Sequence, residues 1–161
     1  MLEFFHKRMK DDRGFTLIEL MVVVLIIAIL IAIAIPTFLG LRRRAQDRAA
    51  QSDLRNAMTA AKAFYTDDES YAPASGAFDA AAGEDIEPSL NWDVPADQDY
   101  VLIGTVADQN ITFTRESASG TTFCITDSTV DVGAVSAGTY GGVGALTTFA
   151  TCAGSGTQWL G

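Results

Sequence analysis

The sequence predicts an α+β protein in which one long N-terminal helix packs on a small antiparallel sheet, with the first half of the helix crossing a membrane. Three observations support this fold class. Residues 15–41 are almost entirely apolar, an apolar stripe at helical spacing follows them, and short runs of β-branched and aromatic residues lie beyond residue 99. The first pattern has the length of a membrane span, the second is typical of an amphipathic helix, and the third is typical of strands.

The apolar run from Phe15 to Leu41 contains 27 residues, and Glu19 is its single charged residue. A membrane span needs about twenty predominantly apolar residues. A secretory signal peptide would explain the basic front, but its apolar region is usually shorter, and Ile35-Pro36 follows the small-residue site Ala32-Ile33-Ala34. A plain membrane anchor leaves Glu19 without a purpose, since a carboxylate inside a span costs roughly 2.5–3.5 kcal/mol. We therefore expect a specific partner for this carboxylate.

The junction before the run carries a more specific pattern. Four basic residues lie among the first fourteen, and the run then opens with Arg13-Gly14-Phe15-Thr16-Leu17-Ile18-Glu19. This pattern resembles the processing site of type IV pilins and of the related pseudopilins. The resemblance implies that a membrane-embedded prepilin peptidase cuts after Gly14 and methylates the new amine of Phe15. Glycine suits such a site because it lets the peptidase approach the backbone closely.

The same resemblance gives Glu19 a function. In the family the corresponding acid attracts the N-terminal amine of a neighbouring subunit, so Glu19 of an incoming subunit is expected to pair with Phe15 of its neighbour. A pair within one subunit also stays open, because four residues make about one helical turn. Pro36 lies where the family carries a helix-bending proline, and proline inside a helix kinks it or melts it locally.

The expected product is a homo-oligomeric helical filament. One interpretation is a type IV pilus that serves adhesion, motility or uptake. The alternative is the short pseudopilus of a type II secretion or competence system. The cysteine pair and the sizeable Gly- and Thr-rich C-terminal part favour the pilus.

The resemblance also implies a location and partners. Before assembly the chain is expected to be a single-pass membrane protein with a cytoplasmic N-terminus, and afterwards part of an extracellular pilus on the bacterial surface. Basic residues do not decide the orientation, because four precede the apolar run and four follow it, at Arg42, Arg43, Arg44 and Arg48. Inner-membrane machinery with a cytoplasmic ATPase is expected to extract the subunit, since this chain has no phosphate-binding glycine loop followed by Lys.

These expectations divide the chain into four segments. Residues 1–14 form the cleaved basic leader, and residues 15–41 form the transmembrane or filament-core helix. Residues 42–66 form the amphipathic outer half of that helix. Residues 67–161 form a globular acidic head with a C-terminal disulfide loop.

The outer half of the helix shows one apolar stripe. Its members are Ala50, Leu54, Met58, Ala61 and Tyr65. This spacing is typical of a helix that packs one face on a core. Between them lie polar residues expected on exposed faces, namely Gln51, Asp53, Arg55 and Lys62. Asp47 and Asp53 either pair with nearby arginines between subunits or belong to a solvated helix face.

The head is predicted to contain strands. The candidate runs are residues 100–105, 111–115, 122–126 and, as a fourth, 146–152. Residues 72–99 contain three prolines and are predicted to be a turn-rich connection. The glycine-rich residues 133–144 are predicted to be a flexible loop.

Cys124 and Cys152 are the two cysteines of the chain. In an exported segment such a pair most simply forms a disulfide, which would contribute roughly 3–4 kcal/mol, although two separate buried thiols stay open. As in many pilins, this bond would close a C-terminal loop. Two cysteines and His6, which lies in the leader, do not make a metal site or a thiol protease. We therefore predict no enzyme activity, no cofactor and no metal.

The charge is distributed unevenly. From residue 66 onward there are fourteen acidic residues and one basic residue, Arg115. Such a surface repels phosphate backbones, so nucleic acid is not an expected partner.

Overall fold

The computed structural model describes residues 14–92, 100–144, 148–154 and 159. It contains two compact units, residues 1–41 and residues 42–161. The first unit is described from Gly14 onward, so the basic leader that sequence analysis placed at residues 1–14 lies outside the described residues except for that glycine.

Helix α1 spans Leu17–Asp68 and confirms the predicted long helix. Its residues before Arg42 belong to the first unit, where the large apolar side chains are exposed to solvent in the single chain. Pro36 lies inside the helix, which continues through it, so the helix is not melted at this residue as the sequence allowed. The Thr37 hydroxyl donates to the Ile33 carbonyl at 3.1 Å, one turn back. The carbonyl that Pro36 leaves without its helical N–H is the preceding one, that of Ala32.

The second unit contains a four-stranded antiparallel sheet in the order β1-β2-β3-β4. Its strands are β1 Leu102–Ala107, β2 Asn110–Glu116, β3 Thr122–Ser128 and β4 Gly138–Val143. The first three confirm the predicted strands with boundaries shifted by up to two residues. Short hairpins join them, so that Phe113 lies opposite Ile125 and Thr114 opposite Cys124.

Two predictions for the C-terminal part are wrong. The glycine-rich residues 133–144 were expected to form a loop, but β4 lies there and pairs along the length of β3. The expected fourth strand at 146–152 is instead helix α3, Phe149–Ala153, in the residues that the structure describes. Thr148 caps this helix by accepting from the Thr151 backbone N–H, and the Thr151 side chain bonds back to Thr148. This reciprocal cap favours a helical start over the strand that the β-branched residues indicated.

A short helix also interrupts the predicted connection at 72–99. Helix α2 spans Ala80–Ile86, and its N-cap Asp79 accepts from the Ala82 backbone N–H at 2.9 Å. Gly83 of α2 packs against the indole of Trp92 so closely that a Cβ there would lie 2.7 Å from the ring. Pro95, the last proline of that connection, lies outside the described residues.

The core of the second unit lies between α1 and one face of the sheet. Of the predicted stripe, Ala50, Leu54, Met58 and Ala61 are buried and Tyr65 is partly buried. They pack with buried residues of the central strands and with aromatic residues between α1 and β1, which are Ile111, Phe113, Phe123, Ile125, Tyr71, Phe78 and Trp92. Alanine is frequent on this face of α1, so the helix can approach the sheet closely.

Polar contacts also fasten α1 to the sheet, and here the sequence was misleading. Asp53, expected to be exposed, forms an ion pair with the buried Arg115 at 2.9 Å. Lys62 forms one with the buried Asp127 at 3.0 Å. Asp47 accepts a hydrogen bond from the Ser119 hydroxyl at 2.5 Å. Asp47 and Asp53 therefore bond within their own chain, Asp47 to the turn between β2 and β3 and Asp53 to β2.

A disulfide joins Cys124 of β3 to Cys152 of α3, with a Cα–Cα distance of 6.1 Å. Both cysteines are fully buried. The disulfide that the cysteine pair indicated is thus confirmed, although it holds a short helix against the sheet and not a strand.

Candidate processing and assembly site

The residues of the predicted processing site are accessible in the first unit. Gly14 and Phe15 lie before the first turn of α1, and the Phe15 side chain is 86% exposed. The space around the missing side chain of Gly14 is open. Arg13, the residue on the other side of the glycine, lies outside the described residues. The backbone between Gly14 and Phe15 can therefore be reached from outside.

Thr16 and Glu19 together form the start of helix α1. The Glu19 carboxylate accepts from the Thr16 backbone N–H at 2.8 Å and from the Thr16 hydroxyl at 2.7 Å, both through Oε2. The Glu19 backbone N–H donates to the Thr16 hydroxyl oxygen at 3.3 Å. This is the reciprocal capping box of a Thr-x-x-Glu sequence, in which two otherwise unsatisfied N–H groups find partners.

Sequence reasoning missed this cap, although its signal was available. Thr16-Leu17-Ile18-Glu19 followed by an apolar run is the sequence signature of a capping box. The charge of Glu19 by itself indicates a partner in another chain and does not reveal the cap. The structure shows that the same carboxylate also begins the helix in its own chain.

Apolar side chains surround the carboxylate. Phe15, Ile18, Val22 and Val23 line a shallow surface depression together with Glu19. Across the whole described part of the first unit the large hydrophobic side chains are between 47% and 86% exposed. Soluble monomeric proteins rarely expose an apolar surface of this extent, so a membrane or other protein must cover it. By length and composition α1 is able to cross a membrane.

The structure brings only some of the predicted site residues together. Phe15 and Glu19 share the depression at the start of α1. Pro36 lies seventeen residues beyond Glu19 on the same helix, which corresponds to about 25 Å at 1.5 Å per residue. Cys124 and Cys152 belong to the other unit. The first unit therefore offers a charge at one end of an apolar surface.

Among the described residues, no three His, Cys, Asp or Glu side chains are grouped as ligands for a metal ion. One carboxylate among aliphatic side chains can attract a cation and can accept hydrogen bonds. This chemistry is suited to recognition.

Comparisons with known proteins give one family model, which matches the N-terminal end of the chain, and several relatives. Residues 9–35 match the family model described as the prokaryotic N-terminal methylation motif. The chain is 48% identical over 60 residues to the type IV major pilin protein PilA of Myxococcus xanthus, covering 37% of this chain and 27% of that protein. It is 43% identical over 63 residues to the type IV wide pilus major component PilA4 of Thermus thermophilus, covering 39% of this chain and 48% of that protein. A fimbrial protein of Pseudomonas aeruginosa is 52% identical over 54 residues, covering 34% of this chain and 35% of that protein.

The chain therefore spans only about a quarter to a half of the length of each of these relatives. No solved structure matches the chain significantly.

Proposed function

We propose that this chain, a type IV pilin by its methylation motif and its α+β architecture, is the repeating structural subunit of an extracellular type IV pilus. The observation that carries the proposal is the exposed apolar surface of residues 15–41 with Glu19 at its start. The relatives support a pilus over a pseudopilus, because their names describe major pilins and a fimbrial protein.

Processing is the first step of this function. A prepilin peptidase removes residues 1–14 by cutting the bond after Gly14, and the amine of Phe15 is then methylated. The open space around Gly14, the exposure of Phe15 and the match of residues 9–35 to the methylation motif support this step.

Glu19 acts in the second step, the docking of an incoming subunit. Its carboxylate pairs with the cationic Phe15 amine of a neighbouring subunit, and each charge then lowers the cost of removing the other from water. Both bonds from Thr16 go to Oε2, so Oε1 is the oxygen that receives the neighbour's amine. The pair fixes the axial register, while the apolar side chains of the helix supply most of the cohesion. Pro36 provides a point where the helix can bend or unwind as it packs in the filament.

Before assembly the apolar run holds the subunit in the inner membrane with its N-terminus in the cytoplasm. Assembly machinery with a cytoplasmic ATPase extracts it into the growing filament. The second unit, with its excess of acidic residues and its disulfide, then lies on the outside of the cell.

Mass spectrometry of material sheared from the cell surface tests this function. We expect a chain that begins at N-methylated Phe15 and weighs two hydrogens less than its reduced form. A Gly14→Val variant should stay unprocessed because its side chain blocks the close approach of the peptidase. Gly40→Val, which adds the same side chain at another glycine with open space around it, should be processed normally.

Recovery of an intact chain beginning at Met1, confined to membranes, would contradict the filament function. Processed chain that never reaches the surface would identify a pseudopilin.

A further inference from the structure

Four arginines follow the apolar run directly, and we call Arg42, Arg43, Arg44 and Arg48 the arginine collar. All four are exposed. Within the part of the chain that the structure describes, none of their side chains forms an ion pair or a hydrogen bond. The nearest acidic residues in sequence, Asp47 and Asp53, are bonded to Ser119 and Arg115. The collar thus carries four positive charges that the described residues of its own chain do not neutralise.

The position of the collar matches the far surface of a bilayer. Between Glu19 and Arg42 lie 22 residues without a charge, Leu20 to Leu41. At 1.5 Å per residue this helical stretch is about 33 Å long, close to the roughly 30 Å hydrocarbon thickness of a membrane. When the stretch fills the hydrocarbon, Glu19 lies at one interface and the collar lies among the lipid headgroups at the other.

The angular distribution of the collar favours lipid over a protein partner. Successive residues of an α-helix are about 100° apart, so Arg42, Arg43 and Arg44 leave the helix axis in three different directions. Arg48 is about 40° beyond Arg44 by the same geometry, in the remaining sector. One protein surface would meet one side of this collar, whereas lipids surround a helix on all sides.

We propose that the arginine collar binds the phosphate groups of anionic phospholipids and fixes the depth of the unassembled subunit in the membrane. The guanidinium group forms paired hydrogen bonds with phosphate, and basic residues next to a span are attracted to anionic lipid surfaces. Extraction into a filament must break these contacts. The inference rests on the membrane-resident stage of the proposed function, but it requires neither cleavage nor filaments.

Native mass spectrometry of the full chain in a neutral detergent tests the collar. The protein is titrated separately with phosphatidylglycerol and with phosphatidylcholine, and the fraction carrying bound lipid is measured. We expect apparent affinity for phosphatidylglycerol to exceed that for phosphatidylcholine by at least about tenfold. Changing all four collar residues to Gln should remove most of the preference, and the four basic residues of the leader account for the remainder. Changing all four to Lys should keep part of it, because charge stays while paired hydrogen bonding is lost.

Three results would overturn the proposal. One is equal binding of the two lipids by the unaltered chain. Another is an unchanged preference in the Gln variant. The third is a dimer that dissociates in the Gln variant but is not affected by phosphatidylglycerol. Such a dimer would show that the collar binds a second copy of the chain. Since the assay also works on uncut protein, loss of lipid preference is distinguishable from failure of processing or filament formation.

Discussion

Lys62 Nζ on helix α1 lies 3.0 Å from Asp127 Oδ1 on strand β3. The same ammonium donates to the Thr139 hydroxyl on β4 at 2.7 Å, and the Thr139 hydroxyl in turn donates to Asp127. Tyr71, from the segment after α1, donates its hydroxyl to the other Asp127 oxygen at 2.7 Å. One buried carboxylate therefore joins the helix, two strands and a loop.

Replacing Lys62 by Met should destabilise the second unit. Asp127 is buried and would lose its cationic partner, whereas Lys62 is about half exposed, so we expect a loss of about 1–2 kcal/mol in unfolding free energy. The measurement is urea unfolding followed by the fluorescence of the two tryptophans, Trp92 and Trp159. Asn56→Met, at an exposed position of the same helix, is the matched control and should change stability little. Equal effects of the two substitutions would refute the assigned role of the ion pair.

Tyr71 makes the stability of the second unit sensitive to alkaline pH. Burial, together with the hydrogen bond to the negative Asp127, raises the pKa of the Tyr71 phenol well above its ordinary value near 10. Because the folded-state pKa is the higher one, this stabilisation is complete below about pH 10 and is lost as the pH rises above that value.

We expect Tyr71→Phe to cost about 1–2 kcal/mol at neutral pH and to make the alkaline decline shallower. Tyr140→Phe is the control, because the Tyr140 hydroxyl lies on the surface and bonds to the Ser136 carbonyl. Unfolding midpoints measured between pH 7 and pH 11.5 provide the comparison. A decline that is equally steep in both variants would exclude Tyr71 as its source.

Removing the disulfide should loosen α3 and destabilise the second unit. The bond spans a sequence separation of 28 residues, and bridges of this size typically contribute about 2–4 kcal/mol. We expect a loss of this size in Cys124→Ala/Cys152→Ala, measured by the same unfolding assay. Reduction of the unaltered chain should give a similar loss and should leave the variant unchanged. If reduction has no effect on the unaltered protein, the bond has no stabilising role.

Glu19 has two roles that variants can separate. Glu19→Gln keeps a side chain able to accept from Thr16 but removes the charge, whereas Thr16→Val removes the hydroxyl bonds of the cap and keeps the charge. We expect the Gln variant and Glu19→Ala to be cleaved and yet to give no surface filaments. Thr16→Val should weaken only the start of the helix, by about 1 kcal/mol, and still assemble. Electron microscopy of sheared fractions, with mass spectrometry of the membranes, measures both outcomes. Filaments from the Gln variant would remove the charge-pairing argument.

Gly83 should resist substitution because Trp92 occupies the space of a side chain. A Cβ at this position would lie 2.7 Å from the indole, so Gly83→Ala must displace α2 or the ring. The expected cost is about 1–3 kcal/mol. Ala81→Ser on the exposed side of α2 is the control and should be nearly neutral. A stable Gly83→Ala protein with unchanged tryptophan fluorescence would contradict this packing.

The helix was predictable because its pattern of apolar residues is local in the sequence. The disulfide was predictable because the chain has only two cysteines to pair. The apolar run, the stripe from Ala50 to Tyr65 and two cysteines each allow few interpretations. Strand β4 was not predictable, since glycine lacks the side chains that mark a strand. Its environment comes from distant residues: Trp159 donates its indole N–H to the carbonyls of Cys124 and Gly142, and its backbone N–H bonds to Gly141. The indole of Trp159 thus contacts β4 where its glycines have no side chains.

The polar contacts of α1 were hidden for a related reason. Asp53 and Lys62 find their partners more than sixty residues further along the chain. Nothing near either residue in sequence distinguishes it from an ordinary surface charge on a helix. At the candidate site, the motif around Gly14 and Glu19 could be recognised from the sequence. The capping box of Thr16 and Glu19 also has a sequence signature, but it was not predicted.

The order of the strands affects how the second unit can form. Every strand of the β1-β2-β3-β4 sheet pairs with its neighbour in sequence, and every ladder is antiparallel. Such local pairing keeps the contact order of the sheet low and favours fast folding. During synthesis or translocation from the N-terminus, each strand can join the sheet as it emerges, without waiting for a later one to insert between two earlier ones. Cys152 follows all four strands in the chain, so the disulfide can close on a sheet that is already assembled.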